Sequence, residues 1–138
     1  MEQKDICKIL SVAKTIAVVG LSDKSYRTSR RIAEYLVEEG FKVVGVNPLI
    51  NKAGEIDVYP NLTKVPFQID IVDVFRRSEN IPELIPDILK VKPKTLWLQE
   101  GIRNDEAVKP VIESGIYTIQ DMCIAVYYNM CKSTHKNR

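Results

Sequence analysis

Apolar residues along this chain fall into two kinds of run, and their alternation predicts the architecture. Thr15-Ile16-Ala17-Val18-Val19-Gly20 is continuously apolar and stops at glycine, as a strand covered on both faces of a parallel sheet does. Residues 41–46 repeat the pattern and must end at Asn47-Pro48, because proline cannot donate to the ladder. Residues 69–75, 95–98 and 116–119 predict three more strands. Between them the apolar spacing changes to three and four. Ile32, Ala33, Leu36 and Val37 form the stripe of a helix over 28–39 that stops at Gly40. Ile81, Leu84, Ile85, Ile88 and Leu89 mark another, capped by Ser78 and kinked at Pro86. Asn104, Asp105 and Glu106 open a third, which ends at Gly115.

The ends of the chain read as helices too. Residues 1–14 hold an amphipathic N-terminal helix, placed as a lid, and 121–131 a closing helix apolar on nearly every side. The exposed remainder of that helix is a candidate homodimer surface. Residues 132–138 are polar and predict a frayed tail. Residues 49–68 are rich in turn formers and predict a loop, with one short extended piece at Val58-Tyr59. Alternating strands and helices imply right-handed crossovers, hence a single α/β, doubly wound domain with five strands, mostly parallel.

Length and charge narrow the chemistry. The 138 residues fit one domain, and 20 Lys+Arg against 18 Asp+Glu leave a net charge of only +2, which predicts no nucleic-acid surface. No apolar run is long enough to cross a membrane, and the first residues lack a leader pattern, so a cytoplasmic protein is expected. Cys7, Cys123 and Cys131 are odd in number and far apart, which predicts reduced thiols and no metal site. The one histidine, His135, lies in the predicted tail, so no Ser-His-Asp triad or Cys-His pair is expected.

In an open parallel sheet, ligands sit beyond the carboxyl ends of the strands. Six of the seven arginines follow such ends: Arg27, Arg30 and Arg31 after the first strand, Arg76 and Arg77 after the third, and Arg103 after the fourth. Guanidinium forks match phosphate oxygens, and Gly20-Leu21-Ser22-Asp23-Lys24-Ser25 adds a glycine turn and hydroxyls before a helix start. A ligand with several phosphates is the expectation. The alternative is that the arginines are solvated or pair with Asp23, Glu79 and Glu100. The first loop lacks GxGxxG, and the second strand ends Val46-Asn47-Pro48 without an acidic residue, which disfavours NAD. A phosphate-cradling Gly-Lys-Ser/Thr loop is absent as well.

Four stretches together resemble a known family: Ile16 to Ser22, Val46-Asn47-Pro48, Val72-Asp73-Val74-Phe75-Arg76-Arg77, and Trp97 to Asn104 with Gln99-Glu100-Gly101-Ile102 at its centre. They are similar to the small stand-alone CoA-binding proteins, and Asp121-Met122-Cys123-Ile124 looks like that family's closing segment. The likeness spans roughly residues 10 to 127. The family is related to the N-terminal CoA-binding domain of the succinyl-CoA synthetase α subunit. The resemblance implies a Rossmann-like fold with coenzyme A bound across the carboxyl rim. The pyrophosphate would lie near Gly20, Ser22, Lys24 and Arg27, the adenosine end near Asn47 and Pro48, and the pantetheine arm near Phe75, Arg76, Gln99, Gly101 and Ile102. Arg77 joins these as a further cation. The synthetases also use a second domain with a phosphorylated histidine, so ligation by this chain alone is not expected. Binding of coenzyme A or acyl-CoA without catalysis leads, and an enzyme or subunit that uses CoA or another nucleotide with a partner domain is the alternative.

Two residues carry competing readings. Asp73 lies in an apolar strand, where it is either a general base of raised pKa or, as we favour, a structural carboxylate accepting hydrogen bonds. Cys123 stands near the start of the closing helix, where the dipole could favour a thiolate able to form a mixed disulfide with the CoA thiol. A small buried apolar role is the favoured reading.

Overall fold

The computed structural model describes the backbone of residues 3–136 and the side chains of 5–133. Six parallel strands form its centre: β1 (Thr15–Val19), β2 (Lys42–Val46), β4 (Ile56–Tyr59), β5 (Ile71–Val74), β6 (Thr95–Leu98) and β7 (Tyr117–Ile119). A two-residue strand, β3 (Lys52–Ala53), pairs antiparallel with β4 at one edge, so the order is β3-β4-β2-β1-β5-β6-β7. The α/β doubly wound class holds, and the five-stranded expectation is corrected to seven. The two additional strands come from the turn-rich stretch, where Gly54 (φ +61°) reverses the chain between them. Ile56 and Val58 are buried there and Asp57 is exposed, an alternation too short to stand out in the sequence.

Helices cover both faces. On one face α1 (Gln3–Val12), α2 (Thr28–Glu38) and α5 (Ile124–Lys136) contribute Ile6, Leu10, Ile32, Leu36 and Ile124 to a core that includes Ile16, Val18 and Trp97. On the other, α3 (Ile85–Val91) and α4 (Asp105–Glu113) contribute Ile88, Val108 and Val111 against Ala17, Val72 and Leu96. Burying such side chains stabilises the fold by roughly 1.5–3 kcal/mol each.

Several boundaries differ from those predicted. Residues 78–84 form a 3-10 segment, and Pro86 stands in the first turn of α3. It therefore begins a helix, where its missing N–H costs nothing, instead of kinking one. Ser78 is not the cap; its Oγ accepts from Arg103 N–H at 3.0 Å. Helix α5 continues to Lys136, past the expected end at 131 and into the predicted tail. The side chain of His135 lies outside the described residues. The expectation of three reduced thiols is corrected as well: Cys7 and Cys131 form a disulfide joining α1 to α5 across 124 positions, and Cys123 alone is free. Wide spacing argues against a bridge only while the fold is unknown; here the two end helices pack side by side.

Candidate functional site

Four strand ends finish level. Val19 stands opposite Val46 and Val74, and Val74 opposite Leu98, so Gly20, Asn47, Phe75 and Gln99 emerge along one rim. The rim lies at the point where chain order reverses across β1 and β5, the usual place for a ligand in this architecture. Gly20 N–H donates to Val46 O at 2.9 Å and Phe75 N–H to Val19 O at 2.8 Å, which carries the ladder into the loops. Gly20 has φ +87°, and a Cβ here would overlap the Phe75 carbonyl oxygen. Only glycine lets the two strands exit this close together.

The loop after β1 is held in place from both sides. Ser22 Oγ accepts from Lys24 N–H at 3.0 Å, and Ser22 N–H donates to the buried Ser29 Oγ at 3.1 Å. Asn47 bridges the neighbouring loop: its Nδ2 donates to Leu21 O at 3.0 Å and its Oδ1 accepts from Leu49 N–H at 2.9 Å. Between these loops lies a hollow of about 500 Å³. Gly20, Ser22, Lys24, Arg27, Asn47 and Phe75, all anticipated from the sequence, line it. Asp23, Thr28, Ser29, Leu49 and Ile50 line it too and were not anticipated. Thr28 and Ser29 open α2, so the positive end of that helix faces the hollow. The cue for them was the hydroxyl-rich run from Ser22 to Ser29; Leu49 and Ile50 gave no cue inside a turn-rich loop. Pro48 lies in an adjoining hollow of about 590 Å³, whose lining shares Asp23, Leu49 and Ile50.

The arginines divide. Among the described residues, Arg27, Arg76 and Arg77 make no ion pair; Arg27 lies 5.9 Å from the Tyr26 ring centroid, Arg76 is half-buried and Arg77 exposed. Arg30 is removed from the expected cluster, because its Nε pairs with Glu34 at 2.9 Å and its Nη1 donates to Asp23 O at 2.6 Å. Arg103 is removed likewise by Asp105 at 3.0 Å. Pairing, the alternative read from the sequence, thus holds for these two arginines; the carboxylates are Glu34 and Asp105 in place of Glu79 and Glu100, and Asp23 takes part through its main-chain oxygen.

Gln99, Gly101 and Ile102 are not among the residues lining the hollow; they join the rim to the closing segment. The buried Gln99 Oε1 accepts from Ile124 N–H at 3.1 Å, and Gly101 N–H donates to Asp121 Oδ1 at 2.6 Å. Asp121 N–H donates to Ile102 O at 3.1 Å, and Trp97 Nε1 to Met122 O at 2.7 Å. Cys123, half-buried, sits in the middle of this seam.

Asp73 is fully buried between Val18 and Trp97, and neither carboxylate oxygen has a hydrogen-bond partner among the described residues. The hydrogen-bonded carboxylate favoured from the sequence is therefore not what the fold builds. Burial pushes this carboxyl well above the usual carboxylate range. Asp73 is not among the residues lining the hollow, which separates it from a base acting there.

A rim with a glycine crossing, a helix N-terminus and unpaired cations suits a phosphorylated ligand, and residues 14–129 match the family model described as the CoA-binding domain. The chain belongs to that family. This CoA-binding domain is 38% identical over 128 residues to the uncharacterized protein YneT of Bacillus subtilis strain 168, covering 93% of this chain and 95% of that one. Its fold is similar to the cell-free ID.343 protein from Thermus thermophilus, with TM-score 0.89, 33% identity, and coverage of 95% of this chain and 99% of that one. It is similar also to a hypothetical protein from Pyrococcus horikoshii OT3, with TM-score 0.92, 30% identity, and coverage of 96% and 93%. Among the described residues, no helix of the CoA-binding domain is long and apolar enough to cross a membrane.

Proposed function

We propose that this CoA-binding domain holds coenzyme A, or an acyl-CoA, across the carboxyl rim of its sheet and does so as a binding module, without turning the ligand over by itself. The observation that carries the reading is the convergence of Gly20, Ser22, Lys24, Arg27, Asn47 and Phe75 around one hollow at the start of α2. Coenzyme A brings a pyrophosphate and a third phosphate. Lys24, Arg27 and the first N–H groups of α2 suit the pyrophosphate, and the glycine at position 20 lets the ligand approach the backbone. Asn47 and Pro48, where the two hollows adjoin, suit the adenosine end. Phe75 and Arg76 suit the pantetheine arm, with residues 99–102 beyond them. The lining of the hollow includes neither histidine nor cysteine, which supports binding over group transfer.

Calorimetric titration with coenzyme A tests this. Arg27→Ala and Lys24→Ala should each weaken binding by about 1.5–3 kcal/mol, roughly 10- to 150-fold, and the affinity should fall as salt rises. No binding at millimolar coenzyme A, or variants that bind like the parent, would overturn the site. Consumption of acetyl-CoA by the purified chain would overturn the binding-only reading.

A further inference from the structure

The geometry points to the Cys7–Cys131 disulfide as a thiol-reactive site, open to low-molecular-weight thiols, whose reduction releases α5 and through it loosens the rim. Three observations converge on it. The first is access. A cavity of about 470 Å³ opens at the end of the molecule where α1 and α5 meet, and both cysteines line it, together with Lys14, Phe41, Tyr128 and Lys132. Cys7 is half-buried and Cys131 only 2% exposed, so Cys7 is the less covered residue of the pair and the one assigned as the target of attack. A cavity of this volume accommodates a molecule the size of a small peptide thiol.

The second is electrostatic. Lys14, Lys132 and Glu39 all line the cavity; Lys132 pairs with Glu39 at 2.7 Å, and Lys14 makes no ion pair among the described residues, which leaves one positive charge unbalanced in the lining. Positive charge beside a sulfur favours the thiolate, as attacker and as leaving group. The reaction balances with no component beyond the thiol. A thiolate attacks Cys7 Sγ and forms a new S–S bond as the Cys7–Cys131 bond breaks. The electron pair leaves on Cys131 Sγ, which takes a proton from water. A second thiol attacks the mixed disulfide at the small molecule's sulfur and frees Cys7 as a thiol. Two small thiols are thus oxidised to one disulfide, and the protein disulfide is reduced by two electrons to two thiols.

The third is the connection to the rim. The start of α5 is stitched to the residues after β6 by the Gln99, Gly101, Ile102 and Trp97 hydrogen bonds described above. Two turns further along, Cys131 fastens it to α1 through the disulfide. With that fastening open, α5 is held by its packing, the Lys132–Glu39 ion pair and the hydrogen bonds at its start, so its fluctuations pass through those bonds to residues 99–102. The latch itself does not depend on which ligand the rim takes; only its effect on affinity rests on the coenzyme A reading.

Native protein is equilibrated with millimolar reduced glutathione, trapped with iodoacetamide and weighed intact, and its hydrogen exchange is followed in parallel. Reduction should add two alkylation sites to the one of Cys123. Exchange at residues 99–102 and 124–131 should quicken by on the order of tenfold or more. A Cys7→Ser, Cys131→Ser double variant should exchange like the reduced protein and ignore glutathione, and Cys123→Ser should leave the response intact. The inference is overturned if native protein resists glutathione while unfolded protein is reduced. It is also overturned if reduced protein exchanges at 99–102 and 124–131 like the oxidised form. Acetyl-CoA, whose thiol is blocked, then separates the two proposals. Weaker binding to the reduced form supports the coupling and equal binding removes it. Absence of binding to both forms sinks the ligand reading and leaves the latch to the exchange data.

Discussion

At the scale of single residues, Asp73 is the most exacting position. An unpartnered carboxyl at full burial is costly when charged, so the folded chain keeps its proton. The unfolded chain gives that proton up above about pH 4. The contribution of this group to stability is therefore complete below that pH and is lost as the pH climbs toward the raised folded-state pKa, by up to about tenfold in the folding equilibrium per pH unit. Asp73→Asn removes the titration. In urea unfolding across pH 4 to 8, the parent should lose stability relative to the variant as pH rises; parallel curves would mean the carboxyl gains a partner that the fold does not display. The sequence exposed the conflict, a carboxylate inside an apolar strand, but not its outcome, because hydrogen-bond donors come from elements distant along the chain. Arg30 and Arg103 are the opposite case: each was legible as a cation at a strand end, and each is claimed by a carboxylate only four and two positions further along the chain.

At the scale of elements, capping decides where helices start. Asn104 Oδ1 accepts from Ala107 N–H at 3.0 Å, and its Nδ2 donates to Ser78 O at 2.9 Å, so one side chain both opens α4 and ties it to the segment after β5. Asn104→Ala should cost about 1–2 kcal/mol in urea denaturation, with the β-sheet signal in circular dichroism unchanged. That helix was legible from its cap and first-turn acids. The Pro86 boundary was not, since a proline inside an apolar stripe marks a kink or a first turn equally well until the preceding segment is known to be 3-10. The β3–β4 hairpin was legible only as the extended piece at Val58-Tyr59, for another reason: two- and four-residue strands are shorter than the window in which a period of two can be recognised.

At the scale of the whole molecule, the disulfide joins the two end helices and closes nearly the entire chain into one loop. Cross-links of this span restrict the unfolded state strongly, so Cys131→Ser should lower the unfolding free energy by about 3–5 kcal/mol, measured by denaturation without reductant. The apolar runs, helix stripes, caps and glycine stops by themselves determined the α/β class, the central strands and the loop that carries Gly20 to Arg27, because these depend on backbone geometry and burial within a few residues. Strand order, the hollow shared by loops more than twenty residues apart, the isolation of Asp73 and the bridge from Cys7 to Cys131 were decided only when the layers packed. Each of these depends on which distant side chains come within a few ångströms, a distance that linear spacing does not encode.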